Sequence, residues 1–258
     1  MQNENKTTLK RRAAILDLVN RDGKVTVPDL SNRYNVSVVT IRNDLMQLEK
    51  KKLLIRTHGG AIKEQRVSFD FAVNEKTEMH PEEKLRIANK ALEFIDNGDT
   101  IILDSGSTTQ QIAKQLQRFK NLTVVTNALN IVATLSDYED IEIIIPGGIL
   151  RKRSLSLIGS IAETSINNIY ADKLFLGVDG IDADFGITTP NMEEAHLNRL
   201  MIERSKEVFV VTDSSKFEKR SMANITGLEN INYLITDVNI PEKQKRLCEN
   251  KKVKVITV

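Results

Sequence analysis

The chain has 258 residues, 40% of them apolar, and a formal net charge of +2, so two globular domains with real cores are expected. A single cysteine, Cys248, excludes an intramolecular disulfide, and the scattered histidines His58, His80 and His196 lack metal-ligand spacing, so neither a metal nor another cofactor is expected. There is no run of about 18 apolar residues and the first six are polar, which argues against export and membrane insertion and for the cytoplasm.

The small net charge conceals an uneven split. Up to residue 66 there are 14 Lys+Arg against 7 Asp+Glu, and beyond it 23 against 28, so a +7 segment precedes a −5 segment. Neutralising phosphates releases condensed counterions, so the basic segment is the one suited to nucleic acid.

In chain order, residues 12–20 carry Ile15, Leu16 and Val19 at helical spacing, and Pro28 opens a second short helix over 27–34. A third helix begins at Ser37, an N-cap residue, and places Val38, Thr40, Arg42 and Asn43 where base edges could be read. The same polar residues would also suit a merely solvated helix face. Ile41, Leu45 and Leu48 face the core by spacing, and Asp44, a poor neighbour for phosphate, suits a pairing with a nearby basic residue. The run 49–52 ends this helix with lysines that match its dipole whether or not they touch DNA. Residues 53–62 read as two short strands around Gly59-Gly60 with Arg56 and His58 flanking the turn, the pattern of a wing. A DNA-binding domain over 1–62 and a linker over 63–81 are therefore expected, with Pro81 opening the next helix.

Beyond residue 81, β-branched runs at 100–103, 122–126, 141–145, 173–178, 208–212, 233–236 and 253–258 alternate with helical stretches at 82–96, 108–118, 128–135, 159–168, 191–205 and 241–250. Strands apolar on both faces and alternating with helices predict a mostly parallel sheet covered on both sides, over a domain spanning 82–258. Ligands of such sheets bind outside the carboxyl ends of the strands, so the turns found there are read as a set.

The first turn runs Asp104, Ser105, Gly106, Ser107, Thr108, Thr109 between a strand and a helix, which suits a phosphate, although Ser and Thr also simply cap helices. Lys216, after another strand, supplies a complementary ammonium. Asn127 and Gly148 lie in two further strand-end turns. Asp179 and Asp182 flank a Gly-Ile turn and could accept from sugar hydroxyls or pair with an amine, or only make the turn. Glu194 near a helix start could face the same pocket, and Arg151 heads a basic run that could bind an anion, meet another subunit or stay solvated. Together these turns describe a pocket for a polyhydroxylated anion.

The spacing Arg11-x3-Ile15-x3-Val19, then Ser37-x2-Thr40-Ile41-Arg42-Asn43-Asp44-Leu45, resembles the signature of DeoR-family bacterial transcription regulators. The resemblance continues through His58-Gly59-Gly60-Ala61, the 103–109 turn, Gly177-Val178-Asp179-Gly180-Ile181-Asp182 and Thr212-Asp213-Ser214-Ser215-Lys216-Phe217, and so covers essentially the whole chain. Within the family the chain looks most like the aga-type repressors of N-acetylgalactosamine and galactosamine catabolism.

The resemblance implies a winged helix-turn-helix followed by an α/β sensor domain similar to ribose-5-phosphate isomerase. It implies a homo-oligomer, dimer or tetramer, that represses a sugar-catabolic operon and leaves double-stranded operator DNA when a phosphorylated sugar binds. By position, residues 105–109 would hold the phosphate, Asp179 and Asp182 the hydroxyls or amine, and Lys216 the anion's charge, with Glu194 and Thr188 beside them. The rival reading is an active sugar-phosphate isomerase, in which a carboxylate acts as general base. The isomerase pattern has a lysine and three glycines after its Asp-Gly-x-Asp segment, whereas residues 184–189 read Asp-Phe-Gly-Ile-Thr-Thr, so a sensor without catalysis is expected.

Overall fold

The computed structural model describes residues 2–51, 53–63 and 70–258, which divide into two compact units, Met1–Phe69 and Asp70–Val258. Lys52 and residues 64–69 of the expected linker lie outside the described residues.

In the first unit, α1 (Gln2–Asp22) buries Ile15, Leu16, Leu18 and Val19, and is followed by β1 (Lys24–Thr26). Helix α2 (Val27–Tyr34) starts where Thr26 Oγ1 accepts from Asp29 N at 3.3 Å and stops at Asn35, whose φ of 50° cannot continue a helix. Helix α3 (Val38–Lys50) starts at Ser37, whose hydroxyl accepts from Thr40 N at 3.1 Å, and buries Ile41, Asp44, Leu45 and Leu48, one face at i, i+3, i+4 and i+7. Strands β2 (Leu54–Thr57) and β3 (Gly60–Lys63) form the wing. Its turn is His58-Gly59, while Gly60 already pairs with Thr26, making a three-stranded sheet in the order β1-β3-β2. A Cβ on Gly60 would stand 1.9 Å from Val25 O, so this close approach requires glycine.

The second unit starts inside the expected linker. Helix α4 (Val73–Thr77) precedes α5 (Pro81–Ala91), and the stretch 70–81 packs as part of this unit, with Val73 buried. Its anchors include the ion pairs Asp70–Arg151 and Lys76–Asp179 to distant residues, which local patterning does not reveal. There follow β4 (Thr100–Leu103), α6 (Ser107–Ala113), β5 (Leu122–Thr126), α7 (Leu129–Leu135), β6 (Ile141–Ile144), β7 (Ile149–Arg151), β8 (Ser156–Ile158), α8 (Ser160–Asn167) and β9 (Ala171–Leu176). The unit continues with β10 (Gly180–Asp182), β11 (Gly186–Thr189), α9 (Met192–Glu203), β12 (Ser205–Val211), β13 (Ala223–Thr226), β14 (Tyr233–Thr236), α10 (Glu242–Asn250) and β15 (Lys254–Thr257).

The seven apolar runs read from the sequence are the strands of one sheet, ordered β15-β14-β12-β9-β4-β5-β6 and parallel throughout. Successive residues alternate between two cores, with Ile102, Leu174, Leu176 and Val210 on one face and Ile101, Leu103, Phe175 and Phe209 on the other. The second face is closed by stacked rings, with Phe209 at 5.0 Å from Phe175 and 4.4 Å from Tyr233. Two smaller antiparallel sheets, β7-β8 and β10-β11-β13, were not legible as strands, being only three or four residues each. Both lie beyond the carboxyl ends of the central strands in the chain path. Among the described residues no helix is long and apolar enough to cross a membrane.

Candidate functional site

In the first unit, α3 turns its polar side outward, with Val38, Val39, Arg42 and Asn43 exposed. Ser37 and Thr40 bond to each other, their hydroxyl oxygens 2.9 Å apart, so these two hydroxyls build the helix start before they are offered to a base. Asp44 is 1% exposed and accepts from Arg11 Nε at 2.6 Å and Arg12 Nε at 2.7 Å. It therefore ties α3 to α1 and neutralises two arginines behind the exposed face. In the wing, Arg56 N donates to Glu49 Oε1 at 3.1 Å and its guanidinium stands 3.5 Å from Glu49 Oε2, while His58 is exposed in the turn.

In the second unit the strand ends converge. Asp104, directly after β4, is buried, and Asn198 of α9, with its amide nitrogen facing both acceptors, donates to Asp104 Oδ1 and Glu194 O at 3.2 Å each. Burial, with Glu194 and Asp179 as charged neighbours, pushes the Asp104 carboxyl well above the usual carboxylate range, against backbone N–H groups of Ser105 and Gly177. Thr109 donates to Gly106 O at 3.0 Å and so holds the turn, whereas the buried Ser107 and Thr108 hydroxyls make no hydrogen bond among the described residues. Ser105 Oγ is 3.5 Å from Asp104 Oδ1.

Asp179 pairs with Lys76 Nζ at 2.5 Å and accepts from Thr189 Oγ1 at 3.4 Å. Burial alone would raise its pKa, but Lys76 and Lys216 hold it below the ordinary value. Burial opposes the Lys76 charge in turn, yet Asp179, Glu194 and Asp70 hold its pKa above the ordinary value. Glu194, near the start of α9, accepts from Ser156 Oγ at 2.9 Å and faces Arg151 Nη1 at 3.5 Å. Lys216 makes no ion pair among the described residues, although its charge acts on Asp179 and Asp213. Asn127 is 1% exposed and donates to Leu157 O at 3.3 Å, and its buried Oδ1 has no partner among the described residues.

Three expected site residues are placed elsewhere or otherwise engaged. Asp182 accepts from Asp184 N at 2.9 Å, Phe185 N at 3.2 Å and Arg220 Nε at 2.9 Å, so it caps the β10–β11 turn instead of facing Asp179. Alternation along β10 separates the two aspartates. The Thr188 hydroxyl donates to Gly180 O at 3.3 Å and accepts from Ser221 N at 2.9 Å, which locks the small sheet. Gly148 has φ +116° and a Cβ there would meet Ile158 O at 2.6 Å, so the backbone requires glycine where β7 begins to pair with β8. Conversely, Lys76, Asp70, Ser156 and Asn198 were missed, for none lies in a strand-end turn and no local signal marks them.

Residues 11–66 match the DeoR-like helix-turn-helix domain and residues 79–238 the DeoR C terminal sensor domain. A protein of Escherichia coli O157:H7 named "Putative aga operon transcriptional repressor" is 40% identical over 97% of this chain and 94% of its own length. The glycerol-3-phosphate regulon repressor of Escherichia coli (strain K12) is 36% identical over 90% of this chain and 92% of its own. Among solved structures, ribose 5-phosphate isomerase A from Methanocaldococcus jannaschii shares 16% identity at a TM-score of 0.40, over 54% of this chain and 55% of that one. With both of its units matched and relatives aligned over nearly its full length, the chain belongs to the DeoR family of transcriptional regulators.

Proposed function

We propose that the protein represses a sugar-catabolic operon, that of an amino sugar, and is released from operator DNA by a phosphorylated sugar bound in the second unit. The observation that carries this reading is the pairing of Lys76 with Asp179 and of Arg151 with Glu194, with the charge of Lys216 acting on Asp179; the Ser107 and Thr108 hydroxyls, in the turn and helix start after Asp104, are left open. Cations and hydroxyls suit a phosphate, while ionised carboxylates and Asn127 suit sugar hydroxyls and an amine. The buried Asp104 carboxyl, with its raised pKa, adds a donor that a carboxylate would lack.

Catalysis is not part of this reading. Residues 184–189, where the isomerase pattern carries its lysine, form the end of the β10–β11 turn, capped by Asp182, and the whole of β11. Release from the operator then follows by linkage: the ligand binds the DNA-incompetent arrangement more tightly, and DNA weakens ligand binding by the same factor. Two chains in a homo-oligomer would present paired recognition helices to repeated half-sites.

The test begins with an operator selected from random duplexes. Reciprocal titrations of full-length protein with that DNA and a panel of hexose and hexosamine phosphates should show mutual weakening. Independent binding of the two, or conversion of the sugar phosphate, would overturn the proposal.

A further inference from the structure

The stretch that opens the second unit places an acid on the guanidinium an anionic ligand would need. Asp70 accepts from Arg151 Nη2 and stands 3.3 Å from Arg153 Nε. Its carbonyl also accepts from Arg153 Nε at 2.8 Å, and Val73 N donates to Arg153 O at 2.7 Å. The other edge of Arg151 faces Ser154 Oγ at 3.1 Å and Glu194 Oε1 at 3.5 Å. Lys76, six residues on, feels Asp179, Glu194 and Asp70 together. Arg151 thus stands inside the effector cluster, with its charge already engaged by two carboxylates.

We propose that Asp70 is a built-in competitor of the anionic effector, whose carboxylate covers the Arg151 edge that a phosphate needs and is displaced when the ligand binds. The inference rests on the effector reading above. A phosphate carries more charge than a carboxylate and accepts two parallel N–H bonds from one guanidinium, so it displaces Asp70 at sufficient concentration. Two anions cannot share that edge without repulsion. The ligand's apparent affinity is therefore reduced by the fraction of time Asp70 occupies it. Asp70 directly follows the stretch 64–69 that leads from the DNA-reading unit, so the group displaced is the part of the sensor unit next to that unit in the chain. This supplies what population shift requires, a ligand contact that differs between the sensor unit with Asp70 on Arg151 and the sensor unit with Asp70 displaced.

Calorimetric titration of the full chain tests this with three probes: inorganic phosphate, a hexosamine 6-phosphate and the same hexosamine without phosphate. Asp70→Asn keeps the backbone contacts and removes only the charge. It should tighten both phosphorylated probes by about two- to fivefold, the scale of a partly exposed ion pair. The unphosphorylated sugar should bind unchanged, and the gain should vanish in an Arg151→Met background. Phosphate affinity that is unchanged or weaker in Asp70→Asn overturns the competition. So does an equal gain for the unphosphorylated sugar, because the stretch would then act only as steric cover. If the wild type binds no phosphorylated probe, the effector reading falls and takes this inference with it, whereas a failure confined to the Asp70 comparison leaves that reading standing.

Discussion

Replacing Asp44 by alanine should strongly destabilise the DNA-reading unit while sparing the sensor unit. The carboxylate is 1% exposed and receives Arg11 and Arg12, whose side chains are 12% and 27% exposed, at 2.6 and 2.7 Å. Removing one partner of a buried ion pair costs about 3–5 kcal/mol, because the remaining charge is left uncompensated. The partial exposure of Arg12 lets water screen its share, which places the loss near about 3 kcal/mol. At roughly 0.05–0.15 kcal/mol per residue, a unit of this size holds only about 3–9 kcal/mol in all. The cost is therefore a large part of the total, and in a small domain it corresponds to a melting temperature lower by about 15 °C. Differential scanning of the full chain should show the transition that operator DNA stabilises moving down, and the other transition staying in place. Replacing all three residues together, Asp44→Leu with Arg11→Met and Arg12→Met, should recover most of the loss, since apolar substitutes for a buried ionic cluster are often neutral or better. A DNA-stabilised transition displaced by less than about 1 kcal/mol in Asp44→Ala, the range of ordinary surface changes, would refute the reasoning.

Other expectations concern both units. Arg42→Ala should cost about 1–3 kcal/mol of operator binding and relax preference at one base pair if Arg42 reads a base, whereas a shallower salt slope with unchanged preference would assign it to phosphate. Gly60→Ala puts a methyl 1.9 Å from Val25 O, so β1 and β3 must separate; the DNA-stabilised transition should fall by about 1–3 kcal/mol or more, and unchanged stability would contradict the observed register. Lys216→Ala should leave operator affinity intact and raise the sugar phosphate needed for release, and loss of DNA binding by a folded variant would break the division between the units. The raised pKa of Asp104 means that the folded sensor unit holds a proton the unfolded chain has lost, so its contribution to stability is present at low pH and fades as pH rises from the ordinary carboxylate range through the folded value. Asp104→Asn should flatten that arm of the stability–pH curve, and an unaltered slope in pH-dependent urea unfolding would argue against a protonated Asp104.

Much of this molecule was readable from short windows of chain. The N-cap at Ser37, the i, i+3, i+4, i+7 face of α3 and the seven apolar runs of the central sheet are each set by residues within a few positions of one another, and the structure reproduces them. The polar turns after β4 and β9 were likewise legible as strand ends. Their division of labour was not, for Asp179 and Asp182 differ by three positions but one meets Lys76 and the other Arg220.

Period, caps and charge balance thus sufficed for a basic three-helix reader with a wing, followed by a parallel α/β unit. The chain's path in space decided which charges meet. Arg11 and Arg12 reach Asp44 from 33 and 32 positions away, and Arg151 reaches Asp70 from 81. No local pattern encodes such pairs, because an ion pair depends on where two side chains are delivered, and residues 70–81, with no apolar period of their own, join the sensor unit in part through them.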